Sequence, residues 1–268
     1  MLKILLERMK QGHRTIKYPD GPAPELPDRF RGRPIMDTGK CPDGCCACAD
    51  ACPTNAVDKV SIDLGRCLFC TDCVTACPEH AIAYKADYRL AVRQRADLVV
   101  RQDLQVLHLA TALDAKLERL FGRSVKLRQV SAGGCNACEA DVNVLGTIGW
   151  DLGRFGIQMV ASPRHADGLL ITGPVTKNME LALTKTYDAV PDPKIVIAVG
   201  ACAISGGPYV GHSEVNNGAE TIVPVDLYIP GCPPHPMTIL DGLLRLLGRI
   251  EDGSRKKKAP LSSAFAQA

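Results

Sequence analysis

The chain has 268 residues, a formal net charge of +3 and 13 cysteines, with only one tryptophan and five phenylalanines. So small a positive charge and so few aromatic side chains argue against nucleic-acid binding. The charged N-terminal segment lacks the features of a signal peptide, and an odd cysteine count then indicates reduced thiols with metal or redox roles. The longest apolar stretch, residues 195–204, is too short to span a bilayer, so we expect a soluble or peripheral protein.

The N-terminal part of the chain predicts two different kinds of structure. Residues 1–36 combine a short helix with an extended docking segment rich in proline and glycine. We expect the helix to dock against a partner, and the alternative is that it packs on its own domain. The helix carries one apolar stripe, formed by Leu2, Leu5, Leu6 and Met9. Residues 37–87 hold nine of the 13 cysteines, and residues 88–123 predict a helical connector to the next domain.

The C-terminal part has the pattern of an α/β domain. In residues 124–250, short apolar runs alternate with amphipathic helical segments, which indicates a parallel sheet covered by helices on both faces. Residues 251–268 are basic, then small and polar, and predict a disordered tail.

The most regular cysteine motif is CLFCTDCVTACP. Its cysteines are separated by two, two and three residues and precede Pro78: Cys67, Cys70, Cys73 and Cys77. This is the spacing of two-cluster bacterial ferredoxins, in which three cysteines bind one 4Fe–4S cluster and the fourth binds the other. Such a motif therefore requires a twin elsewhere in the chain.

The stretch CPDGCCACADACP, residues 41–53, supplies the twin with one irregularity. Cys45, Cys48 and Cys52 stand at the expected offsets, whereas Cys41 lies one residue too far upstream. The Asp43-Gly44 turn can absorb the extra residue. We assign a first group (Cys41, Cys45, Cys48 and Cys77) and a second group (Cys52, Cys67, Cys70 and Cys73), each binding one 4Fe–4S cluster.

Cys46 is left over by this assignment. A Cys46-x-Cys48 pair is too cramped for two corners of one cluster, although whether Cys41 or Cys46 completes the first group stays open. Similar stretches around the two Cys-Pro pairs, ACPTNAV and ACPEHAI, support two pseudo-symmetric halves. The alternative is a pair of zinc sites, but zinc motifs pair cysteines two and two across a spacer.

Four further cysteines follow predicted strands, each with a glycine close before it. They lie in GGCNAC, GAC and PGC: Cys135, Cys138, Cys202 and Cys232. Loops at the carboxyl edge of a parallel sheet converge, so this third group can bind a third cluster. The alternative for Cys202 and Cys232 is that they are buried as small apolar side chains.

Several stretches resemble known families. GGCNACEAD, RFGIQMVASPRHADGLLITGPVT, DPKIVIAVGACAISGG and IVPVDLYIPGCPPHP resemble the 20 kDa-type subunit of respiratory complex I and the small subunit of NiFe hydrogenases. The N-terminal segment and both ferredoxin motifs resemble the two-cluster ferredoxin subunit of the same assemblies. The chain thus resembles a fusion, an α+β ferredoxin module followed by an α/β flavodoxin-like domain with an open parallel sheet. The Cys135-x2-Cys138 spacing is similar to that of membrane-bound, energy-converting hydrogenases of the formate-hydrogenlyase type.

The resemblance implies a role and partners. The chain would be an electron-transfer subunit, active only in a complex, that relays electrons through three 4Fe–4S clusters to or from a NiFe site in a large catalytic subunit. Membrane-arm subunits and an electron donor, either a subunit or a ferredoxin, would complete a peripheral complex on the cytoplasmic face of the membrane. The alternatives are a complex I-like NADH or ferredoxin:quinone oxidoreductase subunit, a zinc-stabilised interaction module, and a free ferredoxin-like carrier.

Two carboxylates and two histidines near these motifs need separate interpretation. Relatives often carry a glutamate three residues after the second cysteine of the Cys-x2-Cys pair, where this chain has Asp141. Either Asp141 or Glu139 can serve as a proton relay near the third cluster, or only as a supporting group. We expect His165 and His235 to be structural.

Overall fold

A computed structural model describes residues 2–12, 14–101, 109–122, 124–251 and 254–255. Part of the predicted connector, residues 102–108, and the predicted tail at 252–253 and from 256 onward lie outside the described residues. Among the described residues, none of the helices has both the length and the apolar character needed to cross a membrane.

The N-terminal third is built from short elements held by two antiparallel strand pairs. In chain order these are α1 (Leu2–Gln11), β1 (Pro34–Met36), α2 (Ala47–Asp50), β2 (Ser61–Asp63), α3 (Asp72–Ala76), β3 (Ile82–Tyr84) and β4 (Val99–Arg101). β1 pairs with β3 and β2 pairs with β4. α2 and α3 each carry one cysteine of the two similar motifs and pack against each other, as two related halves should.

The remaining elements form an α/β unit. They are α4 (Ala115–Phe121), β5 (Val125–Ser131), α5 (Ala137–Val144), β6 (Ile157–Met159), β7 (Gly168–Thr172), α6 (Lys177–Ala189), β8 (Ile195–Val199), α7 (Ala201–Ser205), β9 (Leu227–Ile229), α8 (Pro236–Leu246), β10 (Ile250–Glu251) and β11 (Ser254–Arg255). The sheet is parallel throughout, with the order β6-β5-β7-β8-β9. This is the flavodoxin-like order, so the predicted open parallel sheet is confirmed.

Burial follows from the apolar runs that predicted the strands. Every residue of β7, β8 and β9 is buried, as expected for strands covered by helices on both faces. Every residue of α8 is buried too, including Asp241 and Arg245, which form an ion pair with a 2.7 Å separation between Arg245 Nε and Asp241 Oδ2.

The extended N-terminal segment packs against this chain's own α/β unit. The Tyr18 hydroxyl is buried and donates a 2.9 Å hydrogen bond to Asp241 Oδ1. The Arg154 guanidinium donates to the carbonyl oxygens of Ile16 and Tyr18, at 2.6 and 2.8 Å. By contrast, α1 buries none of its residues.

The cysteine-rich block shares a hydrophobic core with the α/β unit. Ile62 of the block and Leu98 of the connector pack in one cluster with Ile204 and Tyr228 of the unit. A backbone bridge between Val92 and Tyr228 continues this contact. The block is therefore fixed beside α7 and β9, whose ends carry Cys202 and Cys232.

The predicted helical connector has a different local structure over its first half. Residues 95–98 form a single 3-10 turn, and β4 follows directly. The Arg95 guanidinium donates two hydrogen bonds to the Asp63 carboxylate, at 2.9 and 2.7 Å. This pairing, together with the β2–β4 strand pair, holds the segment against the cysteine-rich block. The structure places helix in the connector region at α4.

Candidate metal centres

The first group of cysteines lines one cavity of about 230 Å³. All four members contribute to its wall, which is completed by apolar side chains such as Met36 and Ile82. Cys46 does not line it; this side chain is exposed, and its Sγ lies 3.6 Å from the carbonyl oxygen of Gly44. The geometry thus brings together the four cysteines that spacing predicted and leaves Cys46 outside.

The thiols of the first group are also coupled electrostatically to one another. Desolvation raises the pKa of the Cys41 thiol, and the neighbouring Cys77 and Cys45 raise it further. Burial likewise raises the pKa of Cys48, and Cys77 and Cys41 add to this effect. Thiols that raise one another's pKa would repel as thiolates, and bound iron would relieve that repulsion.

The second group is more deeply buried. Burial raises the pKa of Cys67 to about 11, and Cys73 and Cys52 contribute in the same direction. Burial also raises the pKa values of Cys70 and Cys73, each of which is coupled to Cys52. The coupled thiols are again the four that the motif predicted.

Backbone amides point at cysteine sulfurs in both halves of the block. The N–H of Ala56 donates to Cys52 Sγ at 3.1 Å, and the N–H of Ala81 donates to Cys77 Sγ at 3.3 Å. Both bonds run from four residues after the cysteine of a Cys-Pro pair, so the sequence similarity is matched by a shared local geometry. Hydrogen bonds of this kind stabilise thiolates and tune the potential of a cluster bound by them.

Positive φ angles occur at residues other than glycine in the cysteine loops. Phe69 (φ 55°) and Thr71 (φ 73°) flank Cys70, and Asn136 (φ 70°) lies between Cys135 and Cys138. A left-handed backbone is unfavourable for phenylalanine and threonine and persists only where surrounding contacts fix it. The backbone of these cysteine loops is therefore held in an unusual shape by its surroundings.

The third group forms at the carboxyl edge of the sheet. Cys135 and Cys138 follow β5, Cys202 follows β8, and Cys232 follows β9. Burial raises the pKa of Cys202 to about 12, with further contributions from Cys232 and Cys135. Burial also raises the pKa of Cys138, to which all three other members are coupled. Loops separated by up to a hundred residues thus meet at one site.

Glycines leave room beside these sulfurs. At Gly200 (φ +90°) an added Cβ would lie 2.5 Å from Cys138 Sγ, and at Gly207 it would lie 2.8 Å from Cys202 Sγ. Gly134 and Gly173 approach each other closely where the sheet reverses its strand order, between β5 and β7. These glycines therefore provide the open cradle that a bulky cluster requires.

The second and third groups are neighbours. The pKa of Cys232 is raised by burial, then by Cys135 of its own group, and then by Cys70 of the second group. Over the described part of the chain, none of the raised pKa values in the third group has a contribution from the first group. Cys70 of the second group is therefore close enough to Cys232 of the third group for the two thiols to interact.

The two predicted carboxylates have different surroundings. Glu139 is buried, and its Oε1 accepts hydrogen bonds from Ser131 Oγ at 2.6 Å and Thr172 Oγ1 at 2.7 Å. Burial raises the pKa of Glu139, but these hydrogen bonds outweigh it and the net shift is downward. Asp141 is only partly buried, and burial raises its pKa.

The two histidines lie outside the cysteine groups. His235 Nδ1 accepts a 3.1 Å hydrogen bond from the Met237 N–H at the start of α8, and its ring contacts Phe30 and Trp150. His165 is exposed at the end of a 3-10 turn.

Sequence reasoning did not identify Arg31, whose guanidinium contacts the Cys70 loop, because a lone arginine in an extended segment carries no local signal.

The described residues do not contain three His, Cys, Asp or Glu side chains arranged to hold a single metal ion. Four thiols that each bind a different iron of one cluster do not need to converge in this way. The donor set of each group consists of cysteine alone, which is the usual ligand set of 4Fe–4S clusters.

Comparison with known proteins identifies a family that the α/β unit matches. A family model described as "NADH ubiquinone oxidoreductase, 20 Kd subunit" matches residues 135–246. The match begins at Cys135, so the N-terminal cysteine motifs lie outside it.

Individual relatives come from both hydrogenases and quinone reductases. The chain is 42% identical over 136 residues to the probable membrane-bound hydrogenase subunit mbhJ of Pyrococcus furiosus, covering 51% of this chain and 81% of the relative. It is 44% identical over 140 residues to formate hydrogenlyase subunit 7 of Escherichia coli, covering 52% and 55%. It is 40% identical over 147 residues to an NADH-quinone oxidoreductase subunit of Bacteroides thetaiotaomicron, covering 52% and 74%.

Proposed function

This chain belongs to the family of the NADH ubiquinone oxidoreductase 20 kDa subunit, and from that premise we propose that it is an iron–sulfur electron-transfer subunit of a membrane-associated, NiFe-hydrogenase-type complex. It is an oxidoreductase subunit that works within a multi-subunit assembly. Formate hydrogenlyase subunit 7 and a membrane-bound hydrogenase subunit are among its relatives, which favours a complex of the formate-hydrogenlyase type.

The observation that carries the proposal is the division of twelve of the 13 cysteines into three groups of four. Each group coincides with a motif that spacing predicted, and Cys46 belongs to none. The first, second and third groups would each hold one 4Fe–4S cluster. When bound, these clusters supply one-electron transfer between a donor and the catalytic site of a partner.

The protein's own residues support such clusters in three ways. Amides of Ala56 and Ala81 donate to Cys52 and Cys77, the burial of Cys67 excludes water, and Gly200 keeps space open beside the third group. The coupling between Cys70 and Cys232 supports an order in which the first group is outermost and the third faces the partner.

The N-terminal half is proposed to be a two-cluster ferredoxin module fused to the 20 kDa-type unit. Paired short helices and the repeated amide-to-sulfur bonds support an α+β module over residues 37–87, and the two antiparallel strand pairs join this module to β1 and β4 in the flanking segments. The N-terminal segment of residues 1–36 and the connector of residues 88–123 would flank it. The α/β domain would span residues 124–250, and the tail would follow from residue 251, with its first described residues in the antiparallel β10–β11 pair.

The exposed residues around the third group support the presence of a large partner subunit at that edge of the sheet. Cys135 and Cys232 are exposed, and the neighbouring loop after α7 exposes Tyr209 (46%) and Val210 (41%). A large catalytic subunit that covers this rim would exclude water from the third group. The membrane-arm subunits, the donor and a position on the cytoplasmic face of the membrane follow from the likeness to membrane-bound relatives.

Anaerobic purification of the full chain tests the cofactor content. We expect a brown protein with about twelve iron and about twelve acid-labile sulfide per chain. A colourless protein that contains zinc and lacks sulfide would contradict the proposal.

The reaction is tested on the complex that co-purifies with the tagged chain. Hydrogen evolution with a reduced low-potential donor is expected, together with nickel in the large subunit. Quinone reduction without nickel would instead support the complex I-like alternative, to which the identity with an NADH-quinone oxidoreductase subunit also points.

A further inference from the structure

Arg31 connects the extended N-terminal segment to the cysteine loop of the second group. Its Nη1 donates a 2.8 Å hydrogen bond to the carbonyl oxygen of Phe69 and a 3.2 Å hydrogen bond to that of Cys70. Both carbonyls lie in the loop between Cys67 and Cys73. A single guanidinium therefore bridges two consecutive peptide groups on either side of the Cys70 Cα.

These two bonds fix the direction of the amides in the loop. In a trans peptide the N–H points opposite to the C=O, so carbonyls held outward at Phe69 and Cys70 turn the N–H groups of Cys70 and Thr71 the other way. The Phe69 N–H already donates to Cys67 Sγ at 3.3 Å. The positive φ angles of Phe69 and Thr71 show that this arrangement is not the relaxed one and needs external support.

The charge of Arg31 lies at the junction of the second and third groups. Arg31 lines a cavity of about 330 Å³ together with Phe69 of the Cys70 loop, Gly231 and Pro233 of the loop that carries Cys232, and Asp141. Arginine stays protonated at every physiological pH, so this charge is permanent. Reduction of a site by one electron adds one negative charge, and a fixed cation nearby favours the reduced form.

We propose that Arg31 is a positioning residue that holds the Cys70 loop in its cluster-binding shape and raises the reduction potential of the second group relative to that of the same loop without the cation. The proposal rests on the proposed function, because it requires a cluster at the second group. A higher reduction potential at the second group would allow an electron to pass to it from the first group.

The test is a redox titration of the full chain, purified anaerobically and followed by electron paramagnetic resonance. The signal of the second group is identified as the one that Cys67→Ser removes. Arg31→Gln should shift the midpoint potential of that signal to a lower value while the other signals stay in place. Arg31→Lys keeps the charge and a single nitrogen with enough N–H donors for both carbonyls, so its potential should lie nearer that of the parent chain.

Arg29→Gln is the matched control. Arg29 lines the same cavity but donates no hydrogen bond to the loop within the described residues, so its replacement should leave the potential unchanged. An equal shift in Arg29→Gln would overturn the inference, since any nearby charge would then suffice. So would an unmoved potential in an Arg31→Gln chain that retains its full iron content.

Iron content separates this inference from the proposed function. Loss of iron from the second group in Arg31→Gln, with retention in Arg31→Lys and Arg29→Gln, also supports positioning by Arg31, whereas loss in all three overturns it. A parent chain without iron at the second group would overturn the proposed function and this inference together. A fully loaded parent with no response to Arg31→Gln would overturn the inference alone.

Discussion

The Ser205 hydroxyl donates a 2.8 Å hydrogen bond to the carbonyl oxygen of Gly65, a residue 140 positions away in sequence. Ser205 ends the short helix that begins beside Cys202, and Gly65 lies two residues before Cys67. Both residues are buried. This bond therefore joins the third cysteine group to the second through the backbone that carries each.

Ser205→Ala should lower the free energy of unfolding by about 1–3 kcal/mol, because the buried carbonyl oxygen of Gly65 loses its donor. Urea denaturation of the parent and variant chains measures this difference. Ser213→Ala, at an exposed serine, is the control and should change stability by less than about 0.5 kcal/mol. Equal values for the two variants would show that the bond does not stabilise the junction.

Gly200→Ala should abolish iron binding at the third group and leave the other two groups loaded. The new Cβ would lie 2.5 Å from Cys138 Sγ, so the sulfur must move from its position. Gly211 is the matched control, since it also has a positive φ (+79°) but would place its Cβ in open space. Iron analysis should show the loss of about a third of the metal in Gly200→Ala and none in Gly211→Ala.

Cys41→Ser should remove the cluster of the first group, whereas Cys46→Ser should retain full iron content. Cys41 lines the cavity of the first group and is coupled to Cys77 and Cys45, whereas Cys46 does not line that cavity. Iron and sulfide analysis of the two variants, purified side by side without oxygen, measures the difference. The reverse result would assign Cys46 as the ligand and Cys41 as the spare thiol.

Arg89→Gln should destabilise the chain at neutral pH by about 1 kcal/mol or less, and the effect should disappear in acid. Burial raises the pKa of Asp87, but hydrogen bonds from the Arg89 side chain and backbone outweigh it, and the net shift is downward. A lowered folded-state pKa gives stability that is present above the unfolded value of about 4 and is lost as the pH falls through the folded value. Urea denaturation at pH 7 and near pH 3 tests this, and a pH-independent difference would contradict it.

Replacing the apolar face of α1 should impair assembly without affecting the fold. Leu5 and Met9 are 60% and 78% exposed, so Leu5→Glu with Met9→Glu should change the free energy of unfolding by less than about 0.5 kcal/mol for each substitution. We expect the double variant to recover less of the partner subunits in an affinity purification. Leu181→Glu, at a leucine 68% exposed on α6, is the control. Unchanged recovery would show that α1 does not dock.

The sheet and the cysteine groups could be predicted because both are encoded locally. The strands β7 and β8 are continuous apolar runs, and the ligand motifs have spacings set by the reach of a short loop around a cluster. Even the irregular position of Cys41 was interpretable, because Gly44 adopts the positive φ (+79°) expected for the extra turn.

The contacts between units were not predictable, because periodicity shows that a face is buried but not what covers it. The Ser205–Gly65 bond and the Arg95–Asp63 pair join residues far apart in sequence. The same limitation applies to Glu139, a candidate proton relay by position, whose two hydroxyl donors come from β5 and β7. The connector predicts helix because it lacks glycine and proline before Gly122 and has helical periodicity, and this pattern carries no sign of the β2–β4 pairing in its first half.

The shared core of Ile62, Leu98, Ile204 and Tyr228 has a kinetic consequence. Between separate chains, a junction of this kind is a binding equilibrium that dilution can shift. Here one polypeptide carries both sides, so electron transfer between clusters at the Cys70 and Cys232 sites would be unimolecular, with a rate independent of protein concentration. The stoichiometry of the two units is fixed at one to one at synthesis. Neither unit can exchange with a copy from another molecule.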